Sequence, residues 1–360
     1  MRACLDCLPC LARNATELAR RSARGDAVLE GRIAAAGMRI LGAAAEAGYP
    51  LPPPCYARQL IDNALEMCGG AVPDPWEEEK RKSTELALRL MEQIGLSTND
   101  NCHNCSQITN VDINTGGTRS CASVAVAQER DPPEMSDFEK RLRLAIAGNI
   151  LDFSIYADLD IAAAMETMAE AFKKPICGGH GVPALPGGAA GGSQLAATET
   201  DAINCVPPGD VLAELKRRMD EAKSILWIFD NCGEAVFDRL LMEPYRDKIT
   251  LAVRGKPAFN DMTRAELEPS GLLPPDLYKC GGKIVSNDDG VPGVVDETCG
   301  EEFRAAFSSA DLIIAKGQAN FETMSERTDK PIAFLFLAKC PVVCRAIGAE
   351  PKTIQVIFNA

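Results

Sequence analysis

Downstream of Val206 the sequence alternates short apolar runs with helical patterns: "ILWIFD", "ITLAVRG", "KIVSN", "DLIIAKG" and "IAFLFLAK". Unbroken apolar runs of this length belong to strands covered on both faces, and strands that alternate with helices pair in parallel. The fold class that follows is α/β, with three α/β/α layers around a mostly parallel sheet. Between Cys10 and Asp220 the pattern is mostly helical instead. "CLARNATELARRSARGDAVLEGRIAAAGMRILGAAAEAG" has helical apolar spacing and ends in glycine, and "DPWEEEKRKSTELALRLMEQIG" starts with acid and stops at glycine. In "MSDFEKRLRLAIAGNILDF" a capping serine, Ser136, precedes an acidic first turn. The expected organisation is a helical N-terminal domain over 1–175, a loop or linker over 176–205, and an α/β domain over 206–360.

Two stretches interrupt the helical half. Ser97 to Asp131 is rich in Asn, Thr, Ser and Gly and contains "CHNC"; Cys177 to Gly192 reads "CGGHGVPALPGGAAGG". Both are expected to be loops or insertions, and both histidines, His103 and His180, fall in them. No His-based triad can then be assembled from the remaining segments. No run approaches the roughly 18 apolar residues of a membrane span. The start, "MRACLDCLPCLARNATELARRSARG", has cysteines and charge where a secretory signal needs an apolar stretch, so the expected address is cytoplasmic. Fifteen cysteines, an odd number in a large chain of this kind, favour reduced thiols or metal ligation over a disulfide scaffold. A net charge of −13 excludes a whole-chain basic footprint for nucleic acid or anionic lipid, while leaving room for a local basic site that holds a small anion.

The apolar runs end in polar or glycine-containing segments: "DNCGE", "RGKPAFND" and "KGQANFET". In open α/β sheets ligands bind at the carboxyl ends of strands. Asp230 and Asn231 offer a carboxylate and an amide oxygen there, a donor set that suits Mg²⁺ or Mn²⁺ rather than a thiolate-loving metal, and Asp261 supplies a second carboxylate. Gly233 lets the backbone turn into the next helix, and Arg254, Lys256 and Lys316 are cations placed to hold phosphate oxygens. The plainer alternative for Asp230 and Asn231 is a helix N-cap; for Glu234 it is a favourable charge at a helix start. An aspartyl-phosphate route of the haloacid-dehalogenase kind requires a second Asp two positions after the nucleophile, where this chain has Cys232. A P-loop of the form GxxxxGK[ST] is missing as well. The covalent route is therefore disfavoured, and metal-activated water is the expected one.

At this point the sequence resembles a known family, the metal-dependent damage-control phosphatases, formerly domain of unknown function 89 and acidic-residue methyltransferase 1-like. The resemblance rests on "LWIFDNCGEAVFDRLL", "VRGKPAFND", "KGQANFET" and "FLFLAKCPVV" in that order, with "AIAGNILDF" and the opening "CLPCLARNA". The N-terminal CxxC points to the largely prokaryotic subfamily. The resemblance implies a helical part packed on an α/β/α domain. It implies that Asp230, Asn231 and Asp261 hold the metal and that Lys316 and Asn320 face the phosphate. It further implies action on small phosphorylated metabolites, such as sugar phosphates or damaged and overflow phosphometabolites. Asn149 and Asp152 match the family's "GN" and "D" positions, which implies a place behind the metal-holding residues; the plainer alternative is capping of a helix terminus. "SNDDGVPG", Ser286 to Gly293, departs from the usual glycine- and serine-rich turn.

The expectation is a phosphomonoesterase using Mn²⁺, Mg²⁺, Co²⁺ or Ni²⁺ at Asp230, Asn231 and Asp261, with Lys316, Asn320, Arg254 and Glu234 toward the substrate. Cys232 is expected to pack rather than attack. "CLDCLPC" places Cys4, Cys7 and Cys10 at spacings of three, a candidate second metal or redox site, with Cys102, His103 and Cys105 the visible further ligands. The rival readings are a protein-carboxylate methyltransferase, an activity ascribed to a eukaryotic branch of the family, and a non-catalytic metal or redox sensor built on those cysteines.

Overall fold

The computed structural model describes residues 1–69, 74–94, 135–151, 161–180, 208–269, 271 and 282–359. Among them seven strands form one sheet: β1 (Ile176–His180), β2 (Ile225–Ile228), β3 (Ile249–Val253), β4 (Ile284–Ser286), β5 (Leu312–Lys316), β6 (Ile332–Leu337) and β7 (Ile354–Phe358). Their order is β1-β7-β6-β5-β2-β3-β4. Every pairing is parallel except β6 with β7.

The unbroken apolar runs have a direct cause. Along the β2 segment Ile225, Trp227 and Phe229 enter one apolar cluster while Leu226 and Ile228 enter another, so both faces of the strand are buried. The first cluster is completed by α4 (Glu77–Gln93), α5 (Asp137–Ala147), α6 (Ile161–Lys173), α7 (Pro208–Glu221) and α8 (Cys232–Met242). The second is completed by α10 (Glu301–Ser309), α11 (Gln318–Met324) and α12 (Pro341–Ile347). Each large side chain fully removed from water here contributes about 1.5–3 kcal/mol. The helical half therefore divides: α4 and α5 pack over α8 as part of the sandwich. By contrast α1 (Leu8–Ala23), α2 (Ala27–Glu46) and α3 (Pro53–Met67) form their own cluster around Leu11, Leu18, Leu60 and Ile61, joined by Trp76 and Ala258.

The structure departs from the sequence reading at three places. The first helical stretch is two helices: Arg24 and Gly25 adopt φ of 47° and 91°, and the Asp26 carboxylate then caps α2 by accepting from the amides of Val28 and Leu29. Cys177 to His180 is not loop but strand. Its glycines hide it from propensity, yet they are what allows the pairing, since a Cβ on Gly178 would lie 2.0 Å from the Val356 carbonyl oxygen of β7. One of the two histidines, His180, thus ends a strand rather than sitting in an insertion. β7 was hidden by Gln355, a polar residue inside the run, which is buried with its amide donating to Thr353 Oγ1 at 2.7 Å. The stretch 97–131, with its CHNC motif, and Asp152 lie outside the described residues. No helix among the described residues is long and apolar enough to cross a membrane.

Candidate metal and phosphate site

The chain runs from β2 through α8 to β3 on one side, and later returns through α10 to β5 on the other side of β2. The carboxyl ends of β2 and β5 thus flank the point where strand order reverses, which is where open α/β sheets place ligands. A strand buried on both faces can carry polar groups only as it leaves the sheet, and Asp230 and Asn231 are the residues at that exit. Asn231 occupies the N-cap position of α8 but makes no capping bond. Its amide donates to Asp230 Oδ2 at 3.0 Å instead.

Asp261 reaches the same place from the loop after β3. That loop folds back beside the β2 exit: Asn231 and Asp261 form an isolated bridge, the Met262 amide donates to the Asp230 carbonyl at 2.7 Å, and the Cys232 amide donates to the Asn260 carbonyl at 3.0 Å. A capping box at Thr263 and Glu266 opens α9 (Arg264–Leu267) and closes the loop. Arg254, 2% exposed, is the brace of the loop. It donates to Asp261 Oδ2 at 2.7 Å, to the Gly293 carbonyl at 2.8 Å and to Asn320 Oδ1 at 3.2 Å. The segment Ser286 to Gly293 continues the bracing, with Asn287 Oδ1 and the Asp289 carbonyl accepting from the Gly255 amide. Lys256 is exposed.

Lys316 ends β5 and is wholly enclosed. Its ammonium donates to Glu234 Oε1 and Asp238 Oδ1, both at 2.5 Å, and to the Ala145 carbonyl at 3.1 Å, so its three donors meet three acceptors inside the protein. Burial works against this ammonium, but the charges of Asp238 and Glu234 outweigh it and hold its pKa above the usual lysine value. Glu234 is buried, and beyond Lys316 it accepts from the Asn149 amide at 2.6 Å; its carboxylate serves this network rather than the helix terminus. The same Asn149 nitrogen donates to Asp230 Oδ2 at 2.9 Å. Asn320 faces inward too, donating to the carbonyls of Lys316 at 2.6 Å and Phe229 at 3.3 Å. Gly317 has φ of 81°, and a Cβ there would lie 2.0 Å from Asp230 Oδ2, so only glycine lets the β5 exit pass the carboxylate.

Two residues emerge that the sequence reading did not single out. Asp238, one helical turn after Glu234 and equally buried, was hidden in what reads as an ordinary amphipathic helix; the i, i+4 acidic pair was its signal. Lys339 follows β6. It is half-buried, its ammonium donates to the Asn149 carbonyl at 2.7 Å, and its charge acts on Asp230.

Four buried carboxyl groups (Asp230, Asp261, Glu234, Asp238) thus face two buried cations (Arg254, Lys316), an excess of two negative charges when all four are ionised. Burial, then the charges of Asp261 and Glu234, push Asp230 well above the carboxylate range. Burial likewise raises Asp238 to about 7, against the opposing pull of Lys316. This excess, with hard oxygen donors at Asp230, Asn231 and Asp261, fits a divalent cation of the Mg²⁺ or Mn²⁺ type. Cys232 is fully buried, its thiol raised far out of reach by that burial and donating to the Asp261 carbonyl at 3.6 Å. Such a thiol packs and does not attack.

Away from the site, Cys4 and Cys7 Sγ are 3.8 Å apart, and burial pushes Cys7 up to about 12. Cys10 is exposed. No three His, Cys, Asp or Glu groups form a metal cage among the described residues, so Cys4, Cys7 and Cys10 do not make one by themselves.

A mostly parallel α/β sheet with polar side chains gathered at its switch point belongs to the open α/β class, which places ligands at the carboxyl ends of its strands. Within that class, the chain belongs to the damage-control phosphatase ARMT1-like domain family, whose model matches residues 3–184 and 196–354. It is 33% identical over 228 residues to damage-control phosphatase PH1575 of Pyrococcus horikoshii, a match covering 62% of this chain and 66% of that protein. To a damage-control phosphatase of Archaeoglobus fulgidus it is 40% identical over 129 residues, 35% of this chain and 43% of the relative. Among solved structures it is similar to a DUF89 family protein from Pyrococcus horikoshii, with a TM-score of 0.68, 25% identity and full coverage of both chains.

Proposed function

We propose that this protein is a metal-dependent phosphomonoesterase of small phosphorylated metabolites, sugar phosphates or damaged and overflow phosphometabolites among them. The observation that carries the reading is the convergence of Asp230, Asn231 and Asp261 at the switch point, in a buried cluster with two negative charges in excess. The names of its relatives support the phosphatase activity.

Asp230, Asn231 and Asp261 would hold the cation, which when bound supplies polarisation of the phosphoryl group and a more acidic water. The rest is done by the chain. Asn149 and Asn231 fix Asp230 through Oδ2, and Arg254 fixes Asp261 through Oδ2, so both carboxylates are oriented before any ligand arrives. Lys339, the half-buried cation bordering Asp230, draws the phosphate dianion in and offsets charge that develops on its oxygens. Lys316, whose donors are taken up by Glu234, Asp238 and Ala145, acts on the phosphoryl group at one remove, by holding Glu234 and through it Asn149. Asn320 and Arg254 hold the loop and strand ends at the spacing the cradle requires.

The test is phosphate release from a panel of small phosphoesters by metal-stripped protein, with Mn²⁺, Mg²⁺, Co²⁺ or Ni²⁺ added back. Restored turnover that Asp261→Ala reduces by about a thousandfold or more is the expected result. Folded wild-type protein that releases no phosphate with any of the four metals overturns the reading.

A further inference from the structure

Glu234 and Asp238 lie one turn apart on the same face of α8, and both are fully buried. Two like charges so placed repel, and the arrangement stands only because Lys316 sits between them, at 2.5 Å from each. Each carboxylate is also held by its second oxygen: Asp238 Oδ2 accepts from the Trp227 indole at 3.4 Å, and Glu234 Oε2 accepts from Asn149, which in turn donates to Asp230. The result is a continuous path from Trp227 in the core, through Asp238, Lys316, Glu234 and Asn149, to the candidate metal-holding carboxylate.

If Lys316 had Glu234 alone as partner, the pair would be neutral, and the cradle of Asp230 and Asp261 against Arg254 would keep a single negative charge. Asp238 supplies the missing one. We propose that Asp238 is a positioning residue that sets the charge of the cradle: by balancing Lys316 it leaves Glu234 and Asp230 with the two-charge excess a divalent cation matches, and it does so without touching the cation. The inference rests on the functional reading above.

The experiment is a calorimetric or spin-resonance titration of metal-stripped protein with Mn²⁺ at pH 8, where Asp238 is ionised, alongside thermal melts and steady-state kinetics. Asp238→Asn keeps the shape and one acceptor but removes the charge, and is expected to bind Mn²⁺ roughly tenfold more weakly. Its kcat falls at saturating Mn²⁺, while KM for the phosphoester changes less. Asp238→Glu restores most of the affinity. The double variant Asp238→Asn with Lys316→Met removes one charge of each sign and recovers Mn²⁺ affinity toward wild type, an outcome a merely structural Asp238 would not give. Folded Asp238→Asn that binds Mn²⁺ as wild type does, or a double variant whose losses simply add, overturns this inference alone. Wild-type protein that binds no divalent cation overturns the functional reading and this inference with it.

Discussion

Two buried lysines in this protein have been given two carboxylates each, and they serve different ends. Lys80 on α4 is 1% exposed and pairs with Asp74 at 2.6 Å and Glu266 at 3.2 Å, whose side chains remain 14% and 18% exposed. Glu266 belongs to the capping box of α9, so this triad ties the helical part of the chain to the loop that carries Asp261. Lys316 and both its partners are wholly buried, and they adjoin two further carboxylates. The first triad can fall back on water and is a clamp. The second has no water to fall back on, and its surplus acidic groups are offset by protons, which the raised Asp230 and Asp238 hold more tightly, or by the cation proposed above. Residue types, one lysine and two carboxylates in each triad, do not tell the two clusters apart; the adjoining carboxyl groups and the access of solvent do.

The comparison is broken or sharpened most strongly by removing each lysine. Lys316→Met leaves two fully buried carboxylates uncompensated and is expected to cost about 3–5 kcal/mol of stability at neutral pH, read as the denaturant midpoint of metal-stripped protein. A smaller effect is expected from pH. Burial raises the folded-state pKa of Asp238 to about 7 and pushes that of Asp230 well above the carboxylate range, so the stability linked to Asp238 is fully present below about pH 4 and is lost as pH rises through about 7, and the stability linked to Asp230 is lost in the same direction. Metal-free protein should therefore melt lower at pH 8 than at pH 5, and Mn²⁺ should restore the melting temperature at pH 8. Glu322, raised to about 7 by burial, contributes in the same direction but lies on α11, so its share should not respond to metal. Lys80→Met comes next, with about 2 kcal/mol lost and turnover of the folded protein within about twofold of wild type, because its partners keep water contact. Equal losses for the two lysine variants would erase the distinction. The smallest effect is expected from Cys4→Ser with Cys7→Ser: phosphate release within about twofold of wild type, as befits thiols outside the site. Loss of activity there would move weight to the sensor reading.

The sheet and the cradle were legible in the sequence to different depths. Five of the seven strands announce themselves because burial on both faces demands unbroken apolar residues; β1 and β7 do not, because glycine and a satisfied buried glutamine interrupt the run. Asp230, Asn231 and Asp261 were legible as acid and amide at strand exits. What the sequence could not convey is direction. Lys316 reads as a cation at a strand end, ready for phosphate, and only the packing of α8 against β5 turns it inward onto Asp238 and Glu234. Arg254 reads the same way and is spent on Asp261, Asn320 and Gly293. Lys339, the half-buried cation that donates to the Asn149 carbonyl, lies in a motif whose apolar residues dominate the reading.

Gly317 carries a lesson for anyone who would move this site elsewhere. The spacing between the β5 exit and Asp230 is set by a single hydrogen atom where every other residue has carbon. Grafting the acidic side chains onto another sheet would therefore reproduce the inventory but not the cradle, unless the left-handed turn travels with them. The most exacting specification in the site is written at a position with no side chain.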